Sequence, residues 1–281
     1  MAIQKKPKSE IKRLEGIFYH PTFIKKSEKI EILNYLSTLY PIWEWRYSEH
    51  NPPPEGDEQR RLLRPVYWLG NWQFACLNYY HPPKGIHNRC VKAEDYPMVL
   101  KKIIAVMEEI TRRHFKKNEI PKNWHLNTCL INYYGNAIDE FGKKTDNARV
   151  GDHKDFELGP VASISFGERA FFQFVLGNRN REDNVIYEQW LEDCSLLIFG
   201  GDLYKDRAFH RVQRVENKLK SPYDLNTTNF ETRRINFTFR YVPVEHIIPY
   251  QKLPANQKSD VKKYMEELSI HSEHFKQQLN N

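Results

Sequence analysis

The chain has 281 residues, 40% hydrophobic and 28% charged, which is enough apolar material for a sizeable core under an ordinary charged surface. No run of 18 or more apolar residues occurs, and Met1 to Lys6 lacks an apolar leader segment, so neither a membrane span nor a secretory signal is expected. Forty-three Lys plus Arg against 36 Asp plus Glu give a net charge of +7, which suits a nucleic-acid partner without requiring one; the cysteines, Cys76, Cys90, Cys129 and Cys194, have no zinc-like spacing and fit a reducing cytoplasm.

Residues 1–13 are lysine-rich and read as a disordered basic tail, solvated or in contact with nucleic acid. Ile17, Phe18 and Tyr19 before Pro21 predict a short strand and turn. A helix follows, with Ser27 as its cap and Ile30, Leu33 and Leu36 as its buried face. Pro52, Pro53, Pro54 and Gly56 break 47–61 into a loop. Next comes an aromatic segment containing Trp68, Trp72, Tyr79 and Tyr80, interleaved with Arg61, Arg64 and Lys84. Such a surface can stack on bases and grip phosphates, or its aromatics can pack a hairpin. Pro97 to Phe115 carries a clear helical stripe of Val99, Leu100, Ile103, Ile104, Met107 and Ile110, opposite Lys101, Lys102, Glu108 and Glu109.

Residues 126–134 predict a strand with Asn132 and Tyr134 on one face. The segment to Gly151 reads as a polar loop. Short strands are predicted at 161–167, 171–176, 185–190, 195–199, 209–215 and 234–242, with a polar loop from Val215 to Thr232. Many short strands separated by turns predict an antiparallel sandwich or barrel. Residues 254–278 read as one exposed helix with Val261, Tyr264, Met265 and Leu268 on one face, either packing on the domain or meeting a partner.

Chemistry concentrates between Asn127 and Tyr241. His153 and Asp155 are two residues apart, so on a strand they can face one ion. A histidine from another strand, His210, would complete two histidines and a carboxylate, the facial set of non-haem Fe(II) oxygenases. Alone, His153 could equally be a loop histidine and His210 a half-buried strand residue. In 234–241, Ile235, Phe237, Phe239 and Tyr241 alternate with Arg234, Asn236, Thr238 and Arg240. The two arginines stand roughly 20 Å apart at Cα, and inward-reaching side chains bring their guanidinium groups to roughly 6–8 Å. That span suits a five-carbon dicarboxylate, which guanidinium binds as a fork.

The block resembles the AlkB family of Fe(II)- and 2-oxoglutarate-dependent dioxygenases. Asn132-Tyr133-Tyr134, His153-Lys154-Asp155, Gly159 to Gly167, Leu196 to Gly201 leading to His210, and Arg234 to Arg240 occur in the family's order over about 115 residues. The resemblance implies a mainly β, α+β fold: a double-stranded β-helix (jelly roll) over 121–245, preceded by an N-terminal extension with helices and a nucleotide-recognition lid over 14–120, and followed by a C-terminal helical extension over 246–281. It implies His153, Asp155 and His210 as iron ligands. Arg234, helped by Tyr134 and Asn236, would take the distal carboxylate of 2-oxoglutarate, with Arg240 and Asn132 near the carboxylate at the iron. Trp72 and Tyr79 would belong to the lid, although Leu69-Gly70-Asn71-Trp72 is displaced by one residue from the family pattern. Glu157, two past Asp155, would recognise a flipped base, unless it is a surface residue. The activity implied is oxidative N-demethylation of alkylated DNA, or RNA, of the 1-methyladenine and 3-methylcytosine type. O2 would be consumed and succinate, CO2 and formaldehyde released, by a monomer in the cytoplasm, nucleoid or nucleus. The rivals are an oxygenase of the same fold acting on RNA, protein or a small molecule, and an inactive nucleic-acid-binding module. The segments 135–152 and 211–233 are longer than the family pattern leads one to expect.

Overall fold

The computed structural model describes residues 10–77, 90–177, 184–213 and 223–280, Cys90 by its backbone alone. In chain order these form β1 (Lys12–Leu14), β2 (Ile17–His20), α1 (Lys26–Leu36), β3 (Val66–Leu69), β4 (Asn71–Gln73), β5 (Cys90–Lys92), α2 (Met98–His114), β6 (Thr128–Ile138), β7 (Lys144–Asp146), β8 (Val150–His153), β9 (Val161–Gly167), β10 (Ala170–Val175), β11 (Val185–Leu191), β12 (Ser195–Phe199), β13 (Phe209–Gln213), β14 (Phe230–Arg240), α3 (Ala255–Ser269) and α4 (Glu273–Asn280). The fold is mixed α+β with antiparallel sheets. No helix of the described residues is long and apolar enough to cross a membrane.

The two longest strands, β6 and β14, pair antiparallel at the middle of the large sheet, whose order is β1-β2-β12-β9-β14-β6-β3 with β7 on β6. Side chains alternate across this sheet. Ile131, Tyr133, Ile164, Phe166, Leu196, Ile198, Ile235, Phe237 and Phe239 enter one core, together with the apolar faces of the four helices. The other face meets a four-stranded sheet, β11-β10-β13-β8. Between the sheets, Ile17, Tyr19, Phe172, Phe174, Leu197 and Phe199 build a second apolar cluster. The polar face of β14 therefore looks into the space between the sheets.

Several local expectations change. β6 runs on to Ile138, and the supposed loop to Gly151 contains β7 and the first residues of β8. Strand β14 starts at Phe230, where a loop was expected, and carries a bulge between Thr232 and Arg234. Gly135 lies opposite that bulge; a Cβ there would come 1.8 Å from the Glu231 carbonyl oxygen, so no other residue fits. In α1 the helix starts one residue past Lys25, not at a Ser27 cap, and Glu28 accepts the Lys25 N–H at 2.8 Å. Its buried pair is Ile32 and Leu36, four residues apart, while Ile30 is 52% exposed. The C-terminal helix is two helices broken at 270–272, and its Val261, Tyr264, Met265 and Leu268 pack inward. Of the expected basic tail, Lys12 and Arg13 pair into the edge strand β1.

Candidate active site

Register, more than local sequence, assembles the site. Arg234 stands between Tyr134 and Gly167, Asn236 between Asn132 and Ser165, and Thr238 between Leu130 and Ser163. Three strands thus present polar rows on the inner face of the large sheet. From the facing sheet, His210 of β13 pairs directly with His153 of β8. Except for Ser165 and Gly167, these residues line one cavity of about 290 Å³, together with Asp155, Arg64, Phe172 and Arg240.

The three expected ligands line this one cavity. The His153 and His210 rings lie 4.1 Å apart, and His210 Nε2 is 3.5 Å from Asp155 Oδ2. His153 Nδ1 lies 2.8 Å from the Gly151 carbonyl oxygen. A carbonyl only accepts, so Nδ1 carries the proton and Nε2 keeps its lone pair. Burial pushes both imidazoles below their ordinary value, for His210 well below, with the neighbouring His153 adding to the effect; neutral rings are what a metal ligand must be. Burial alone would raise Asp155, but Arg240, His210 and His153 outweigh it and hold the carboxyl below the usual range. Arg240 donates to Asp155 Oδ1 through Nε at 2.8 Å and through Nη2 at 2.7 Å. Asp155 Oδ2 is buried and accepts no hydrogen bond. Among the described residues no group of three or more His, Cys, Asp or Glu side chains stands close enough together, as placed, to hold a metal ion. The donor set nonetheless fits a divalent cation: two neutral imidazoles and one carboxylate oxygen without a donor, with the rest of the shell open to the cavity.

The two arginines differ. Arg240 is engaged by Asp155 and lies 3.5 Å from Glu157 Oε2. Arg234 is 2% exposed and donates Nη2 to Ser165 Oγ at 3.0 Å, whereas its Nε and Nη1 find no acceptor. Burial lowers its proton affinity, and charge and hydrogen-bond interaction with Tyr134 partly compensates; the Tyr134 ring centroid lies 4.7 Å from the guanidinium carbon. Two buried N–H groups of one guanidinium pointing nowhere are a fork awaiting an anion. Asn236 is fixed by Ser163 Oγ and the Ile164 carbonyl, and accepts from Thr238 Oγ1 at 3.0 Å.

Sequence reasoning missed several contributors. Arg64, expected only as part of the aromatic and basic surface, lines the cavity with its guanidinium carbon 4.5 Å from the Tyr134 centroid and donates to the Arg149 carbonyl at 3.1 Å. Lys205, 7% exposed, donates to the Asp155 carbonyl, while Lys154 Nζ reaches back to the Asp206 carbonyl at 2.6 Å. These crossed contacts tie the segment bearing Asp155 to the one leading to His210. Arg233, the extra residue of the β14 bulge, pairs with Glu168 at 3.3 Å and Asp146 at 3.2 Å. Ser163 and Ser165 could have been found from their spacing on β9; the lysines and Arg233 carried no such signal.

The lid residues fare differently. Trp72 is 1% exposed and its indole N–H donates to Glu44 Oε1 at 2.8 Å, as does that of Trp68. Its ring packs on Phe74, Tyr264 and Phe275. A buried indole needs an acceptor, and Glu44 supplies it; Trp72 is core and cannot stack on a base. Tyr79 lies outside the described residues. Glu157 is 5% exposed, so it is no surface residue, and it borders a compartment beside the cavity.

In fold the chain is similar to the structure of OsALKBH1, which aligns at TM-score 0.51 and 21% identity over 83% of this chain and 100% of that one. A more distant likeness is a Pseudomonas putida prolyl-4-hydroxylase, at TM-score 0.39 and 11% identity over 81% and 94%. No curated protein matches the sequence. The model of the 2OG-Fe(II) oxygenase superfamily matches residues 16–240, and the chain belongs to that superfamily. Membership implies Fe(II) and 2-oxoglutarate.

Proposed function

We propose that the protein is an AlkB-type oxidative demethylase of N-alkylated bases in nucleic acid, DNA in the first instance. The observation that carries this reading is one cavity in which His153, Asp155 and His210 converge beside an Arg234 fork with two buried, unanswered N–H groups. In this reading the three side chains hold Fe(II), and the paired sheets are the halves of a double-stranded β-helix. Arg234 takes the distal carboxylate of 2-oxoglutarate, flanked by Tyr134 and Asn236, and Asn132 lies on the path back to the metal. Arg240 keeps Asp155 ionised and turned so that Oδ2 faces His210.

Iron with 2-oxoglutarate and O2 supplies the oxidising power for a methyl C–H bond that acid–base chemistry cannot break. The protein supplies placement and dryness. Phe172, Phe199 and Val212 line the cavity and exclude water around the reacting methyl. The hydroxylated methyl is a hemiaminal, which loses formaldehyde and returns the base N–H; 2-oxoglutarate leaves as succinate and CO2. The substrate class draws support from the net charge of +7, from exposed Lys154 lining the cavity and from exposed Arg149, next in the chain to cavity-lining Val150. Buried Glu157 favours bases that become cationic on methylation, such as 1-methyladenine and 3-methylcytosine.

The test is a panel of methylated single- and double-stranded DNA and RNA oligonucleotides incubated with Fe(II) and 2-oxoglutarate, scored by loss of methyl mass and by formaldehyde. Demethylation of at least one DNA probe is expected. 2-Oxoglutarate decarboxylation with no oligonucleotide losing its methyl would move the substrate to another class.

A further inference from the structure

A second, smaller compartment shares Phe156 with the metal cavity and is walled further by Leu158 and Tyr241, with Gln73 and Glu157 as polar members. Gln73 is the anomaly. On β4 its neighbours are satisfied: Asn71 Nδ2 donates to the Asn127 carbonyl at 2.8 Å, and Trp72 to Glu44. Gln73, only 4% exposed, has a side-chain oxygen that receives no donor. Buried amides without partners are rare, because the oxygen loses its water and gains nothing.

We infer that this compartment is a binding subsite for a planar nitrogen heterocycle with an exocyclic amino group, and that Gln73 accepts a hydrogen bond from that amine. The inference deepens the nucleic-acid reading above and rests on it. Phe156 and Tyr241 offer aromatic surface to a flat ring. In the orientation seen here the unpartnered Gln73 oxygen matches the exocyclic amine of an aminated base and would oppose a carbonyl oxygen in the same place. Glu157, on the same wall, adds a carboxylate that suits a ring made cationic by methylation. Phe156 also lines the cavity that holds His153, Asp155 and His210, so the two spaces are neighbours. Gln73 is thus a specificity residue, distinct from the groups that hold iron or 2-oxoglutarate.

The experiment uses the full chain with 2-oxoglutarate and no O2, so that binding is read without turnover. Short single-stranded DNA probes carry one 3-methylcytosine or one 3-methyluracil, which differ in the amino or carbonyl group on one ring carbon. Gln73→Leu is expected to weaken the 3-methylcytosine probe roughly tenfold, the worth of one good hydrogen bond, while binding of the 3-methyluracil probe and of 2-oxoglutarate stays unchanged. Gln73→Glu, which keeps an acceptor, should retain the preference for the amino base. Equal weakening of both probes by Gln73→Leu, or none, overturns the assignment of Gln73 and leaves the demethylase reading standing. If the wild-type protein binds 2-oxoglutarate but neither modified probe better than unmodified DNA, the nucleic-acid reading fails and this inference goes with it.

Discussion

Two buried carboxylates in this molecule are treated in opposite ways. Glu44, 1% exposed, accepts from Trp68 Nε1, Trp72 Nε1 and the Ala75 amide, all at 2.8 Å. Every donor around it is spent on it, and its neighbours are tightly packed aromatics. Asp155, 6% exposed, has one oxygen bound by Arg240 and the other accepting no hydrogen bond, at the edge of a cavity it shares with a half-satisfied Arg234. Burying a charge is costly in both places. Where the partner set is closed, the charge organises a fold; where it is left open toward a cavity, the remaining valence belongs to a ligand. The contrast separates structure from function without reference to sequence motifs.

The sharpest way to break it is Asp155→Ala. This substitution should abolish formaldehyde release while the thermal transition and circular dichroism stay near wild type, and retained turnover would show that the open carboxylate is not a ligand. Arg234→Ala comes next. It should raise the apparent 2-oxoglutarate requirement about 30-fold or more, as expected when a buried guanidinium–carboxylate contact worth roughly 2 kcal/mol or more is truncated. Stability should hold, because the change removes a desolvated charge with few partners. An unchanged requirement would place the co-substrate elsewhere.

Glu44 should answer through stability instead. Burial pushes its carboxyl from the ordinary 4.5 up to about 7, despite the three donors. The folded state therefore holds this proton more tightly than the unfolded chain does. Its stabilising contribution is complete below about pH 4.5 and is lost as pH rises through about 7, a change on the order of 3 kcal/mol. Denaturant unfolding at about pH 5 and about pH 8 should show wild type losing that stability relative to Glu44→Gln, whose neutral amide does not titrate. Parallel pH profiles for the two proteins would mean the carboxyl stays ionised throughout.

The alternation from Arg234 to Arg240 was readable because a strand's period of two leaves no choice once its apolar face is known. The His-x-Asp pair was read by placing both residues on one strand, whereas β8 ends at His153 and Asp155 follows it in irregular chain. What no local pattern could supply was the register that sets Arg234 beside Tyr134 and Asn236 beside Asn132, since it depends on residues about 100 positions away. Strand β7, Lys144-Thr145-Asp146, has no apolar side chain at all and exists because β6 offers it hydrogen bonds. The division of labour between the two arginines was equally hidden: identical residues on one face differ only in what stands opposite. Nothing in the sequence marks Gln73, and only the missing partner of its side-chain oxygen distinguishes it.

Trp72 gives the smallest effect and tests the comparison from its structural side. Aromatics mixed with arginines look alike in sequence whether they form a base-stacking surface or a core. Here the deciding residue is Glu44, 28 positions upstream. Trp72→Phe keeps most of the ring contacts with Phe74 and Phe275 and deletes one donor to a carboxylate that retains two others. The loss should be about 1–2 kcal/mol of unfolding free energy, from one hydrogen bond to a charged group and a slightly smaller ring. Oligonucleotide and 2-oxoglutarate affinities should be untouched. A selective loss of oligonucleotide binding in Trp72→Phe, with stability unchanged, would instead return this residue to the substrate surface and break the rule that a closed partner set marks a structural charge.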